Sequence, residues 1–137
     1  MSTALHKNPE VVEGGAALLS DMKDVCSSLV YAALLTDDGF EVVRLATLAA
    51  TSDGGRFASM ASSMQALSEA VARELHIGPS QYTIIASAHG HVVQLRVPGQ
   101  PLVLSALFDD DETLGKALAV SRVTAEKVAA MLAAVGV

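Results

Sequence analysis

The sequence predicts a single α+β domain built on a five-stranded antiparallel sheet, and three observations lead to it. The elements come in the order helix, hairpin, long helix, three-strand meander, helix. Two strand candidates, 28–36 and 102–108, are apolar on both faces and so need a covering layer on each side. The joins inside the meander, His89-Gly90 and Pro98-Gly99-Gln100, are too short for anything but antiparallel hairpins.

Taken in order, Asn8-Pro9-Glu10 carries helix-start chemistry: a capping side chain, a proline in the first turn and an acid at the positive helix end. Gly14-Gly15 opposes an early start, because a mid-helix glycine costs about 1 kcal/mol against alanine. The first helix is therefore expected to begin after Gly15, with Leu18, Leu19, Met22, Val25 and Cys26 toward the core. Asp37-Asp38-Gly39 is a hairpin turn between strands 28–36 and 41–45. A polar loop is expected over Thr51-Ser52-Asp53-Gly54-Gly55. Residues 56–75 form the clearest helix, with Phe57, Met60, Ala61, Met64, Leu67, Val71 and Leu75 as an apolar stripe expected to face the sheet. The meander strands are 81–87, 91–97 and 102–108. Four acids, Asp109 to Glu112, then precede a final helix starting at Thr113.

Composition narrows the function classes. A chain of 137 residues can bury one continuous core. The net charge of −6 and nine unclustered Lys and Arg argue against nucleic-acid binding, and the absence of Trp against a base-stacking platform. Apolar runs stay well short of the roughly 18 residues of a membrane span. Residues 1–7 lack the basic start and apolar core of a secretory signal, so a soluble, cytoplasmic chain without membrane insertion is expected.

Ala32-Ala33-Leu34-Leu35-Thr36-Asp37-Asp38-Gly39 and the segment from Leu104 to Lys116, ending Asp111-Glu112-Thr113-Leu114-Gly115-Lys116, resemble the Roadblock family (the dynein light-chain and bacterial small-GTPase regulator type). The resemblance covers roughly residues 17–132, within a domain drawn at 15–135 after an N-terminal extension of 1–14. It implies a profilin/longin-like sheet with the middle helix on one face and the two outer helices on the other. It also implies a homodimer in which the third strand pairs with its two-fold mate and the middle helices lie side by side.

Catalytic and metal chemistry finds little support. His89 and His91 flank Gly90, and a metal site with Asp37 or Asp38 is imaginable, but a metal needs three or four converging ligands, so they read as solvated turn residues. Cys26 ends an apolar stripe and reads as a small hydrophobe. Asp109 to Glu112 lacks the glycine and alternating ligands of a calcium loop and reads as helix-capping. Asp53-Gly54-Gly55-Arg56 lacks the Lys-Ser/Thr of a phosphate loop. No catalytic residue, cofactor site or metal site is assigned, and the chain is not read as an enzyme.

The middle helix carries instead a surface of small residues, poor in the Lys and Glu of an ordinary solvated face. Ser59, Ser62, Ala66 and Ala70, with the β-prone edge Tyr82, Thr83, Ile84 and Ile85, are the expected dimer interface. Arg56, Ser59, Ser63 and Arg73 are the expected face toward a small Ras-like GTPase, the partner the resemblance implies. The leading expectation is thus a homodimeric module that modulates a GTPase's nucleotide cycle. A dimeric structural adaptor without effect on hydrolysis, or a ligand-sensing domain, are the alternatives.

Overall fold

Asn8 sets the start of the first long helix, α1 (Pro9–Val25), with its side-chain oxygen accepting from the backbone N–H groups of Glu10 and Val11. The computed structural model describes residues 4–46 and 54–137. A single 3-10 turn, Leu5–Lys7, precedes α1. The helix begins ahead of Gly14 and Gly15, not after them, and the boundary drawn between residues 14 and 15 falls inside it. Close packing is the reason. A Cβ on Gly15 would meet Leu34 Cδ1 and Val43 Cγ1 at 3.0 Å each, and one on Gly14 would meet Met131 Cγ at 2.9 Å. The glycines lower helix propensity, but they let α1 lie against the sheet and the last helix, burying Val11 and Leu19 completely.

The sheet contains β1 (Leu29–Thr36), β2 (Glu41–Ala46), β3 (Thr83–Ser87), β4 (Gly90–Arg96) and β5 (Leu102–Phe108). Its order is β2-β1-β5-β4-β3, and every pairing is antiparallel. The two doubly apolar strands are neighbours in the interior, aligned through Leu34↔Leu104, Ala32↔Ala106 and Thr36↔Leu102. At the tip of the first hairpin Gly39 takes φ +89°, the left-handed conformation the turn demands. Edge positions fall to β2 and β3.

Alternation along the interior strands divides two layers. One face buries Leu34, Leu104, Ala106 and Phe108 against α1 and α3 (Leu114–Val135), with Leu19, Met22, Val128 and Leu132 filling the space. The other presents Tyr31, Ala33, Leu35 and Leu107 to α2 (Gly54–Glu74), which contributes Ala58, Ala61 and Phe57. Thr113 caps α3, its hydroxyl accepting from the Lys116 N–H at 3.2 Å. Most of the loop expected over Thr51–Gly55 lies outside the described residues, and its last two glycines open α2. No helix among the described residues is long and apolar enough to cross a membrane.

The glycine pair generates a two-sided prediction. Gly15→Val drives branched atoms into Leu34 and Val43 and should destabilise the protein by about 2 kcal/mol, in the range of core overpacking. Gly14→Ala meets only the flexible Met131 side chain and gains helix propensity of up to about 1 kcal/mol. Urea denaturation should leave Gly14→Ala within about 1 kcal/mol of the parent and separate it clearly from Gly15→Val.

Candidate protein-interaction surface

The site follows from the roll of α2 on the sheet. Buried on its inner side are Ala58, Ala61, Gln65 and Ala72, at steps of three, four and seven residues. The expected inward stripe is therefore turned outward: Met60 is 62% exposed, Leu67 65% and Val71 48%, with Met64 half-buried beside them. Only Phe57 and Ala61 of that stripe reach the sheet side, Phe57 standing edge-on to Tyr31 at 5.3 Å between ring centroids.

What lies beneath α2 explains the orientation. Gln94 on β4 is fully buried, its Nε2 donating to the Ala61 carbonyl at 2.8 Å and to Gln65 Oε1 at 3.4 Å. Arg96, two residues along the same face, forks onto Glu69 at 2.8 and 3.1 Å and onto Asp37 Oδ1 at 2.8 Å. The Arg96 guanidinium holds the Glu69 carboxyl below its ordinary range. Ser62 donates to the Asp37 carbonyl at 2.7 Å, so its hydroxyl is engaged inside the protomer. A sheet face carrying Gln94 and Arg96 calls for a polar helix face. That alternation along β4 was the available signal for the correct roll.

Next to the outward stripe runs β3. Met60, Met64, Leu67 and Ile85 line one open apolar groove, with Ile85 42% exposed. Thr83 turns inward and donates to Ser68 at 3.2 Å, while Ile84 packs against the core on the opposite face. Tyr82 lies just ahead of the strand under the Arg122 guanidinium, 5.2 Å from its ring centroid. Of the expected interface, then, Ile85 and Tyr82 are open, and Thr83 and Ile84 have their side chains occupied. Ser59, Ser63, Ala66, Arg56 and Arg73 are exposed along α2, and Ala70 is half-buried.

This architecture is similar to Myxococcus xanthus MglB, with a TM-score of 0.81 over 90% of each chain at 14% identity. It is similar also to the gliding protein MglB from Thermus thermophilus, with a TM-score of 0.76 over 96% of this chain and 93% of that one at 19% identity. A Roadblock/LC7 domain from Streptomyces avermitilis gives 0.73 at 16% identity, covering 88% and 97%. The fold is that of the Roadblock/LC7 domain. No family model matches the sequence and no curated protein matches it, so the likeness is one of structure.

Within this Roadblock fold the other candidate residues are placed by structural contacts. Cys26 Sγ and Ser28 Oγ both donate to Glu112 Oε1, at 2.8 and 2.6 Å, joining the end of α1 to the approach of α3. Burial, and then the neighbouring Glu112 carboxylate, raise the Cys26 pKa, the opposite of nucleophile activation. His89 lies in the β3–β4 turn and His91 on β4, and the described residues contain no group of three or more metal-holding side chains. A groove of about 190 Å³ lies between α1 and α3, lined by Leu18, Met22, Val120 and Val123.

The donated hydrogen bonds, the Cys26 thiol's first, lower the Glu112 pKa from 4.5 to about 2. A carboxyl with a depressed folded pKa adds stability that is complete above its unfolded value and is lost as pH falls through the folded one. Glu112→Gln should therefore be less stable than the parent at neutral pH, with the difference shrinking from pH 4.5 down to about 2. Urea midpoints across that window measure it.

Proposed function

We propose that the protein is a homodimeric binding module that regulates a small Ras-like GTPase by modulating its nucleotide cycle. The observation carrying the dimer is the pairing of an outward apolar stripe on α2 with the open edge of β3. An unpaired strand edge is a template for another strand, and proteins rarely leave one bare beside apolar side chains. A two-fold copy of the chain satisfies both needs at once. Its β3 continues the hydrogen-bond ladder, and its Met60, Met64, Leu67 and Val71 close over their counterparts. Burying a Leu or Met contributes about 1.5–3 kcal/mol. A handful per protomer suffices against an association cost of about 4–15 kcal/mol.

The GTPase partner rests on the family resemblance and on the flank of α2 beside the stripe. Arg56, Ser59, Ser63 and Arg73 form that flank, and a two-fold pair of α2 helices sets two copies of it side by side for one partner to span. Ser62, expected in the dimer interface, has its hydroxyl bound to the Asp37 carbonyl and is not part of this flank. In this reading hydrolysis stays in the GTPase's own site, and the dimer acts by repositioning the switch segments around it.

Two substitutions separate the dimer contact from the partner contact. Leu67→Glu, at an exposed position, should leave the protomer's thermal stability within a few degrees and give a monomer by light scattering at micromolar concentration. Ser63→Glu should keep the dimer and weaken GTPase binding at least tenfold, about 1.4 kcal/mol. A parent chain that is monomeric at that concentration would refute the dimer. GTP turnover that does not respond to the bound dimer would favour the structural adaptor.

A further inference from the structure

We infer that Gln94 and Arg96 are positioning residues that lock the roll of α2 and thereby keep its apolar stripe turned toward a partner. The inference rests on the dimer reading above, because that reading gives the outward stripe its purpose. Two faces of α2 have the spacing to lie on a sheet. One is large and apolar: Met60, Met64, Leu67 and Val71. The other is small and polar: Ala58, Ala61, Gln65 and Ala72. In an isolated chain the hydrophobic effect alone favours burying the first. The structure buries the second, so something other than apolar burial selects it.

The selecting contacts all reach one side of the helix. Gln94 Nε2 meets the Ala61 carbonyl at 2.8 Å and Gln65 Oε1 at 3.4 Å. Arg96 meets Glu69 through two nitrogens, at 2.8 and 3.1 Å, and ties it to the hairpin through Asp37 at 2.8 Å. Gln65 Nε2 supports the same carboxylate at 3.2 Å, and Ser62 reaches the Asp37 carbonyl at 2.7 Å. Positions 61, 62, 65 and 69 share a helical face, so these bonds form together in one roll only. Half a turn away, Met64 and Leu67 would cover Gln94 and deprive its buried Nε2 of both acceptors, its Oε1 having no partner among the described residues in either case, with Glu69 and Arg96 parted. Replacing buried polar contacts by apolar side chains is often near neutral for stability, so the role inferred for these contacts is to discriminate between the two packings of α2.

The test is a double variant, Gln94→Leu with Arg96→Leu, which removes the polar demand of the sheet while keeping bulk. Thiol labelling at Leu67→Cys is measured with and without it, at dilutions where light scattering shows monomers, the parent's Cys26 being buried. The lock requires labelling to slow at least tenfold in the double variant, because the thiol turns onto the sheet. Mere loosening of the fold would speed it up, so unchanged or faster labelling overturns the inference. With Leu67 intact, the double variant should dimerise at least tenfold more weakly, and equal affinity also overturns it. If the double variant fails to fold, Glu69→Gln takes its place, with labelling expected to slow at least threefold and unchanged or faster labelling counting against the lock. A parent that never dimerises would refute the dimer reading while the labelling result still decides the roll.

Discussion

The antiparallel pairing of β1 with β5 is the constraint on which the other layers depend. Both strands are apolar on both faces, and pairing them in the middle of the sheet makes a slab that cannot face water on either side. With only three α-helices among the described residues, one face receives α1 and α3 and the other receives α2 alone. A single helix cannot cover five strands, so the edge beyond β4 is where the covering thins. There β3 has its open side, and there the unused apolar residues of α2 collect.

Legibility in the sequence divided along the same line. The strands, their order along the chain, the hairpin at Asp37-Asp38-Gly39 and the Thr113 cap all depend on local patterning and were readable from it. The start of α1 was not, because Gly14 and Gly15 look like breakers until their neighbours, Met131, Leu34 and Val43, are known to press against them. Those contacts join residues far apart in the chain, and propensity carries no trace of them.

On the surface proposed for partner contact, the elements were legible but the orientation of α2 was not. The middle helix and β3 were identified by composition, and both line the open groove that holds Ile85. Which face of α2 points inward was misjudged because periodicity gives the angle between two faces and not which of them meets the sheet. The rule that large apolar side chains go inside is one-way, and an exposed apolar patch is the informative exception. Resolving it required reading β4 as an alternating strand whose α2 side is Gln94 and Arg96, and allowing those two to choose their own partners.

The two layers on the sheet are unequal in how they are held. The α1 and α3 side is packed with Leu19, Met22, Leu132 and Phe108, whereas the α2 side is a smaller cluster in which α2 itself contributes Phe57, two alanines and a few polar contacts. Local opening requires separating only what is locally buried, so α2 is the first unit to loosen from an otherwise intact protomer. Amide protons of α2 should exchange with solvent long before those of β1 and β5. In the proposed dimer, the helix that makes the contact is also the one most easily detached, a foldon whose persistence is set by the company it keeps.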